Sequence, residues 1–139
     1  MADKYIYIYY HYYKRLKLYS GNSRKMVDKQ KTDNYIVVIR DIHFDWNSSK
    51  NVSNQAKHGV TFEEAATVFS DALYIEIKDP DHSQDEERFI ALGISSRCRL
   101  LVVIHSVMRD DETVRIISAR PATATEERQY GGKTNARRI

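Results

Sequence analysis

The chain has 139 residues, 42% hydrophobic and 29% charged, which suits one globular domain and leaves no apolar run near the ~20 residues that a membrane-spanning helix needs. Its single cysteine, Cys98, excludes an intrachain disulfide and a multi-cysteine metal site, and its tyrosine-rich start lacks the pattern of a secretory signal, so a cytoplasmic protein is expected. The net charge of +3 is uneven: residues 1–40 hold nine Lys/Arg against three Asp, and residues 41–139 hold thirteen Lys/Arg against sixteen Asp/Glu, so overall basicity is weak grounds for a polyanion surface on the domain.

Residues 1–34 differ in composition from the rest, with seven of the ten tyrosines in the first nineteen positions beside Lys14, Arg15 and Lys17. Two readings stand. The rings can stack on bases while the cations meet phosphates, or the stretch is upstream sequence from A/T-rich codons, with Met26 the natural start. On either reading residues 1–34 are expected to lie outside the fold, ending in a polar linker. The domain is expected over 35–131, with a flexible tail at 132–139.

From Tyr35 the pattern is that of a folded protein. Ile36 to Ile39 is a β-branched run, and Ile42, Phe44 and Trp46 alternate with polar residues, as in a half-buried strand. Asn47 is placed to cap a helix through Lys57, and Gly59 follows where a left-handed residue is needed. Thr61 and Glu64 have capping-box spacing and open a second helix through about Ser70. Strands are then expected at 73–78, 86–93, 100–104 and 113–119. The uninterrupted apolar run Leu100–Ile104 marks the central one. Thr123 and Glu126 repeat the capping-box spacing and start a last helix that Gly131 and Gly132 are expected to stop. The order βααββββα predicts an α+β fold, a small antiparallel sheet with helices packed on one face.

No Gly-rich phosphate loop, HExxH, paired CxxC or GxSxG is present, so no cofactor and no metal are expected. Charged residues inside strands remain: Arg88, Arg115 and Arg120, with Arg97 and Arg99 at a turn. Guanidinium groups gathered on one face would bind phosphate bidentately and stabilise charge growing on its oxygens. Cross-strand pairing to Glu86, Glu87, Glu126 or Glu127 is the plainer account of any one of them. Lys57 and His58 offer a cation and a proton shuttle at a helix end, or equally a favourable charge on the helix dipole.

Phe44-Asp45-Trp46, Lys50, Asn54, KHGVTFEEA at 57–65, VFSD at 68–71, DHS at 81–83, EERFIALG at 86–93, RLLVV at 99–103, RIISAR at 115–120, and Glu127-Arg128 with Tyr130 resemble the BrnT family in order and spacing. The resemblance covers about ninety residues and none of 1–40. It implies a RelE-like fold and a toxin of a type II toxin–antitoxin pair. It implies that such a toxin is a metal-independent ribonuclease that cleaves RNA and inhibits translation. It also implies a BrnA-like ribbon-helix-helix antitoxin as partner, with operator DNA met only through that antitoxin. Carried onto this chain, the implied catalytic residues are Lys57, His58, Arg88, Arg120, Glu127 and Arg128, with the arginines on phosphate charge and His58 or Glu127 in proton transfer. Three departures from the family pattern stand out: Cys98 where a glycine is common, an acidic connection at 105–112, and Gly131-Gly132 where acidic residues are frequent. The alternative is a catalytically silent protein that binds the antitoxin as corepressor. DNA binding by the module itself is disfavoured, since no basic recognition helix is visible.

Overall fold

The computed structural model describes residues 27–29, 34–39, 42–81, 87–108 and 113–137. The tyrosine-rich stretch, residues 30–33 of the linker, the acidic turn at 110–112 and residues 138–139 lie outside them. Among the described residues seven strands form one sheet: β1 (Val27–Lys29), β2 (Asn34–Ile39), β3 (Ile42–Asn47), β4 (Ile75–Lys78), β5 (Arg88–Ile94), β6 (Leu100–Val107) and β7 (Thr113–Pro121). The helices are α1 (Ser48–His58), α2 (Phe62–Thr67), which runs into a 3-10 turn at Val68–Ser70, and α3 (Ala124–Arg137). From β3 onward the order is the expected βααββββα of an α+β fold, and β1 and β2 extend the sheet ahead of it.

The strands lie in the order β1-β2-β3-β7-β6-β5-β4. The stretch 34–47 is a hairpin with Ile39 opposite Ile42 rather than one strand. All neighbours are antiparallel except β3 and β7, which run parallel with His43–Asp45 beside Thr113–Arg115. Short links would give only the expected antiparallel neighbours. The connection from β3 to β7 instead includes α1, α2 and three strands, ample length for a parallel return.

Phe44 and Trp46 on β3, Val114, Ile116 and Ala119 on β7, and Leu101 and Val103 on β6 point to one face, where Phe62, Ala65, Ala66 and Val68 seal them under α1, α2 and the 3-10 turn. The ends of these helices follow from local chemistry. Asn47 accepts a hydrogen bond from the Lys50 amide at 3.0 Å, and Gly59 takes the left-handed conformation, φ 68°, that closes α1. Thr61 caps α2 through the Glu64 amide at 3.2 Å. Gly93 is a glycine for want of space, since a Cβ there would sit 2.8 Å from Val68 Cγ1 and 2.9 Å from Tyr74 Cβ.

The opposite face is only partly covered. A smaller cluster of Ile75, Leu92 and Val102 meets Ala122, and Tyr130 of α3 packs against it, so the last helix lies on the other side of the sheet from the first two. The Tyr130 hydroxyl donates to Asp71 Oδ2 at 2.6 Å, tying α3 to the 3-10 turn. α3 continues through Gly131 and Gly132 to Arg137 instead of stopping there. Glycine inside a helix costs about 1 kcal/mol relative to alanine, which weakens a helix without ending it.

Candidate functional site

The face left open between α3 and the β3 edge is organised by one irregularity. On β7, Ile116 is opposite His105 and Ser118 is opposite Ile104, so Ile117 is a bulge with no partner of its own. Strand side chains alternate, and residues 115 and 120, five apart, would point to opposite faces of a regular strand. The extra residue resets the alternation. Ile116 and Ala119 therefore both enter the core, and Arg115 and Arg120 both emerge on the open face, Arg120 beside Val102 and Arg115 beside Ser106.

The bulge is held from the side. Beyond residue 115 β7 has lost its β3 neighbour, and the buried side chain of Asn54 takes that place. Its amide Nδ2 donates to the Ala119 carbonyl at 2.8 Å and its Oδ1 accepts from the Ala119 amide at 3.1 Å, as a strand residue would. Nδ2 also donates to the Val60 carbonyl at 2.9 Å.

Two rows of charge cross the open face. In the first, Arg88 lies opposite Ser106, Ser106 opposite Arg115, and Arg115 beside Asp45. Arg115 Nη2 is 3.4 Å from Asp45 Oδ2, whereas Asp45 Oδ1 is buried without a hydrogen-bond partner among the described residues. Burial pushes the Asp45 carboxyl above its ordinary range, and the Arg115 charge pulls it partly back. In the second row, at the end of β7, Arg120 forms a fork with Glu126 through Nη1 at 2.9 Å and Nη2 at 2.8 Å. Glu126 also accepts from the Thr123 amide at 2.8 Å, and its own amide donates to Thr123 Oγ1 at 3.3 Å, a complete capping box for α3. The Arg120 hydrogen bonds, with those of Thr123, hold the Glu126 carboxyl down to about 2, so at neutral pH it is an acceptor and not an acid.

The expected site residues are distributed accordingly. Arg120, Glu127 and Arg128 gather at the junction of β7 and α3, with Glu127 exposed and Arg128 donating to Thr125 at 3.1 Å. Arg88 is half-buried in the first row, on the same face but two strands away. Lys57 is exposed and His58 half-buried in the last turn of α1. Neither makes a side-chain hydrogen bond or ion pair among the described residues. The rest of the 57–65 stretch is structural. Glu64 does not complete a capping box. Its carboxylate is buried, is bound by the Arg99 guanidinium through two nitrogens, and accepts from the Ser95 hydroxyl at 2.8 Å. These bonds hold the Glu64 carboxyl below its usual range. Arg99 thereby leaves the set of arginines open to a ligand. Sequence reasoning passed over Asp45 as a partner of Arg115. The signal was there in the charged residue flanked by Phe44 and Trp46, whose alternation matches Val114-Arg115-Ile116.

Comparison with known proteins gives one family. The family model described as the ribonuclease toxin BrnT of type II toxin–antitoxin systems matches residues 46–126. Among solved structures, the 1.1 Å crystal structure of the Brucella abortus ribonuclease toxin BrnT is similar, at 25% identity, over 56% of this chain and 92% of that one, with a TM-score of 0.42. No curated protein matches the sequence.

Proposed function

The chain belongs to the BrnT family of ribonuclease toxins of type II toxin–antitoxin systems, and on that premise we propose that it is itself an endoribonuclease, metal-independent, that inhibits translation in the cytoplasm. The observation that carries this reading is the bulge on β7, which turns Arg115 and Arg120 onto the sheet face that also bears Arg88. A cationic row on an open sheet suits a phosphodiester. The 2′-hydroxyl of the RNA attacks the adjacent phosphorus, its proton passes to a base, and the departing 5′-oxygen takes a proton from an acid, leaving a cyclic phosphate. Arg88 and Arg120 stabilise charge on the phosphate oxygens, with Arg120 offering whatever donors its fork to Glu126 leaves. His58 or Glu127 moves the proton, and Lys57 and Arg128 add positive charge. General acid–base help is worth roughly 10²–10⁴-fold, so Ala at His58 or Glu127 slows cleavage without abolishing it. The partner is a BrnA-like ribbon-helix-helix antitoxin, through which alone the protein meets operator DNA.

Induced expression tests the reading. Growth arrest with RNA degradation is expected, relieved by the paired antitoxin and lost in Arg88→Ala and Arg120→Ala. In vitro, cleavage should persist in EDTA and stop when the scissile position carries a 2′-deoxy sugar. Folded protein that neither arrests growth nor cuts RNA, yet binds the antitoxin, would establish the silent corepressor instead.

A further inference from the structure

The strand arginines do not all have the same freedom. Arg99 is committed to Glu64, and both terminal nitrogens of Arg120 face Glu126. Arg115 is different. Among the described residues its only ion pair is a single contact to Asp45, and its side chain is 36% exposed.

We propose that Arg115 is a phosphate-contacting residue, that with Arg88 across Ser106 it forms a two-guanidinium seat for one RNA phosphodiester, and that Asp45 is its positioning residue. The proposal rests on the ribonuclease reading and adds to it a residue outside the catalytic set that the resemblance implies. The register fixes the geometry. Arg88, Ser106, Arg115 and Asp45 are successive cross-strand neighbours on β5, β6, β7 and β3. Neighbouring strands are about 4.8 Å apart, so the Cα atoms of Arg88 and Arg115 are separated by roughly 10 Å. Two arginines at that spacing reach the opposite sides of one phosphate, which each fork can meet with paired N–H groups.

The residue between them, Ser106, has a short polar side chain. It is 1% exposed and forms the floor of the seat. The four residues of the row sum to +1 at neutral pH, which favours an anion. Asp45 orients Arg115 from the far side, where β3 holds it, and its single contact leaves the remaining guanidinium N–H groups available to the ligand. Arg120 is four positions along the sheet from this row, about 13 Å, a distance suited to a neighbouring nucleotide. Ile90 and Ile104 lie between the rows as an apolar strip on which a base can rest.

Binding of a 2′-O-methyl RNA oligonucleotide, which cannot be cut, is measured by anisotropy over a range of salt, beside cleavage of the 2′-hydroxyl form. Arg115→Ala should weaken binding about 10- to 100-fold and lower the salt slope by about 0.7. Arg115→Lys should restore the salt slope but not the cleavage rate, since charge returns without the fork. Asp45→Asn should keep the slope and KM and lower kcat, the mark of a misaimed guanidinium. Arg97→Ala, exposed in the turn at the other end of the sheet, is the control and should match wild type. Circular dichroism and a thermal melt establish that each variant is folded. Wild-type cleavage with unchanged kcat/KM and slope in folded Arg115→Ala overturns the seat and leaves the ribonuclease reading standing. If wild type does not cleave, that reading falls, and the seat is decided by binding alone: a lower slope in Arg115→Ala supports it, and an equal slope overturns it.

Discussion

Glu126 has two duties, holding the Arg120 fork and capping α3. Its carboxyl is lowered to about 2 from an ordinary 4.5, so its contribution to stability is fully present above pH 4.5 and is lost as the pH falls toward 2. Thermal melts should therefore put Glu126→Gln below wild type at pH 7, with the two curves converging near pH 2. Cys98 supplies a second case. It sits at φ 58° in the turn from Ser95 to Arg99, a conformation that strains any side chain with a Cβ. Cys98→Gly should raise stability by about 1 kcal/mol, measured by urea denaturation. The turn was legible in the sequence. The strain was not, because nothing in the residue types there signals a positive φ.

At the scale of elements, Asn54 is the residue on which β7 most depends. In Asn54→Leu the amide and carbonyl of Ala119 lose their partner, and each buried orphan costs roughly 1–3 kcal/mol. A fall in the denaturation midpoint together with loss of activity is expected, since Arg120 follows directly. α3 offers the opposite change. Gly131 and Gly132 have open space where a Cβ would go, so Gly131→Ala and Gly132→Ala should each stabilise by about 0.5–1 kcal/mol. A lower melting temperature in either would refute the helical assignment there. The helix starts were readable from Asn47, Thr61 and Thr123, because a cap is a local interaction. The bulge was not. Arg115-Ile116-Ile117-Ser118-Ala119-Arg120 carries no glycine or proline to mark it, and only the pairing with β6 shows which isoleucine is extra. The two arginines could be named from the sequence, but their common face could not.

For the whole molecule, the sequence carried the α+β class and the order of elements along the chain from β3 onward, since each element has its own period and its own punctuation. It did not carry the parallel return of β3 beside β7, which joins segments with no local relation. The expected boundary at residue 35 falls inside β2, and β1 adds Val27–Lys29 to the sheet edge. A chain beginning at Met26 keeps both strands. It should melt within about 2 °C of full length, a difference corresponding to well under 1 kcal/mol, and should retain RNA cleavage. A larger drop would assign residues 1–25 a part in the fold.

That parallel pair also sets an order of events. His43 finds Thr113 seventy positions downstream, whereas β5, β6 and β7 find each other across short turns. Contacts of such separation close late, because the loop they define must lose its entropy first. On a ribosome, β3 waits until β7 has been made, so the arginine-bearing face is assembled only after residues 113–121 emerge. Trp46, the chain's one tryptophan, lies in β3 and is fully buried. In stopped-flow refolding its fluorescence should therefore lag behind the far-ultraviolet signal of the β5–β7 hairpins. Coincident phases would mean that the sheet forms in a single step.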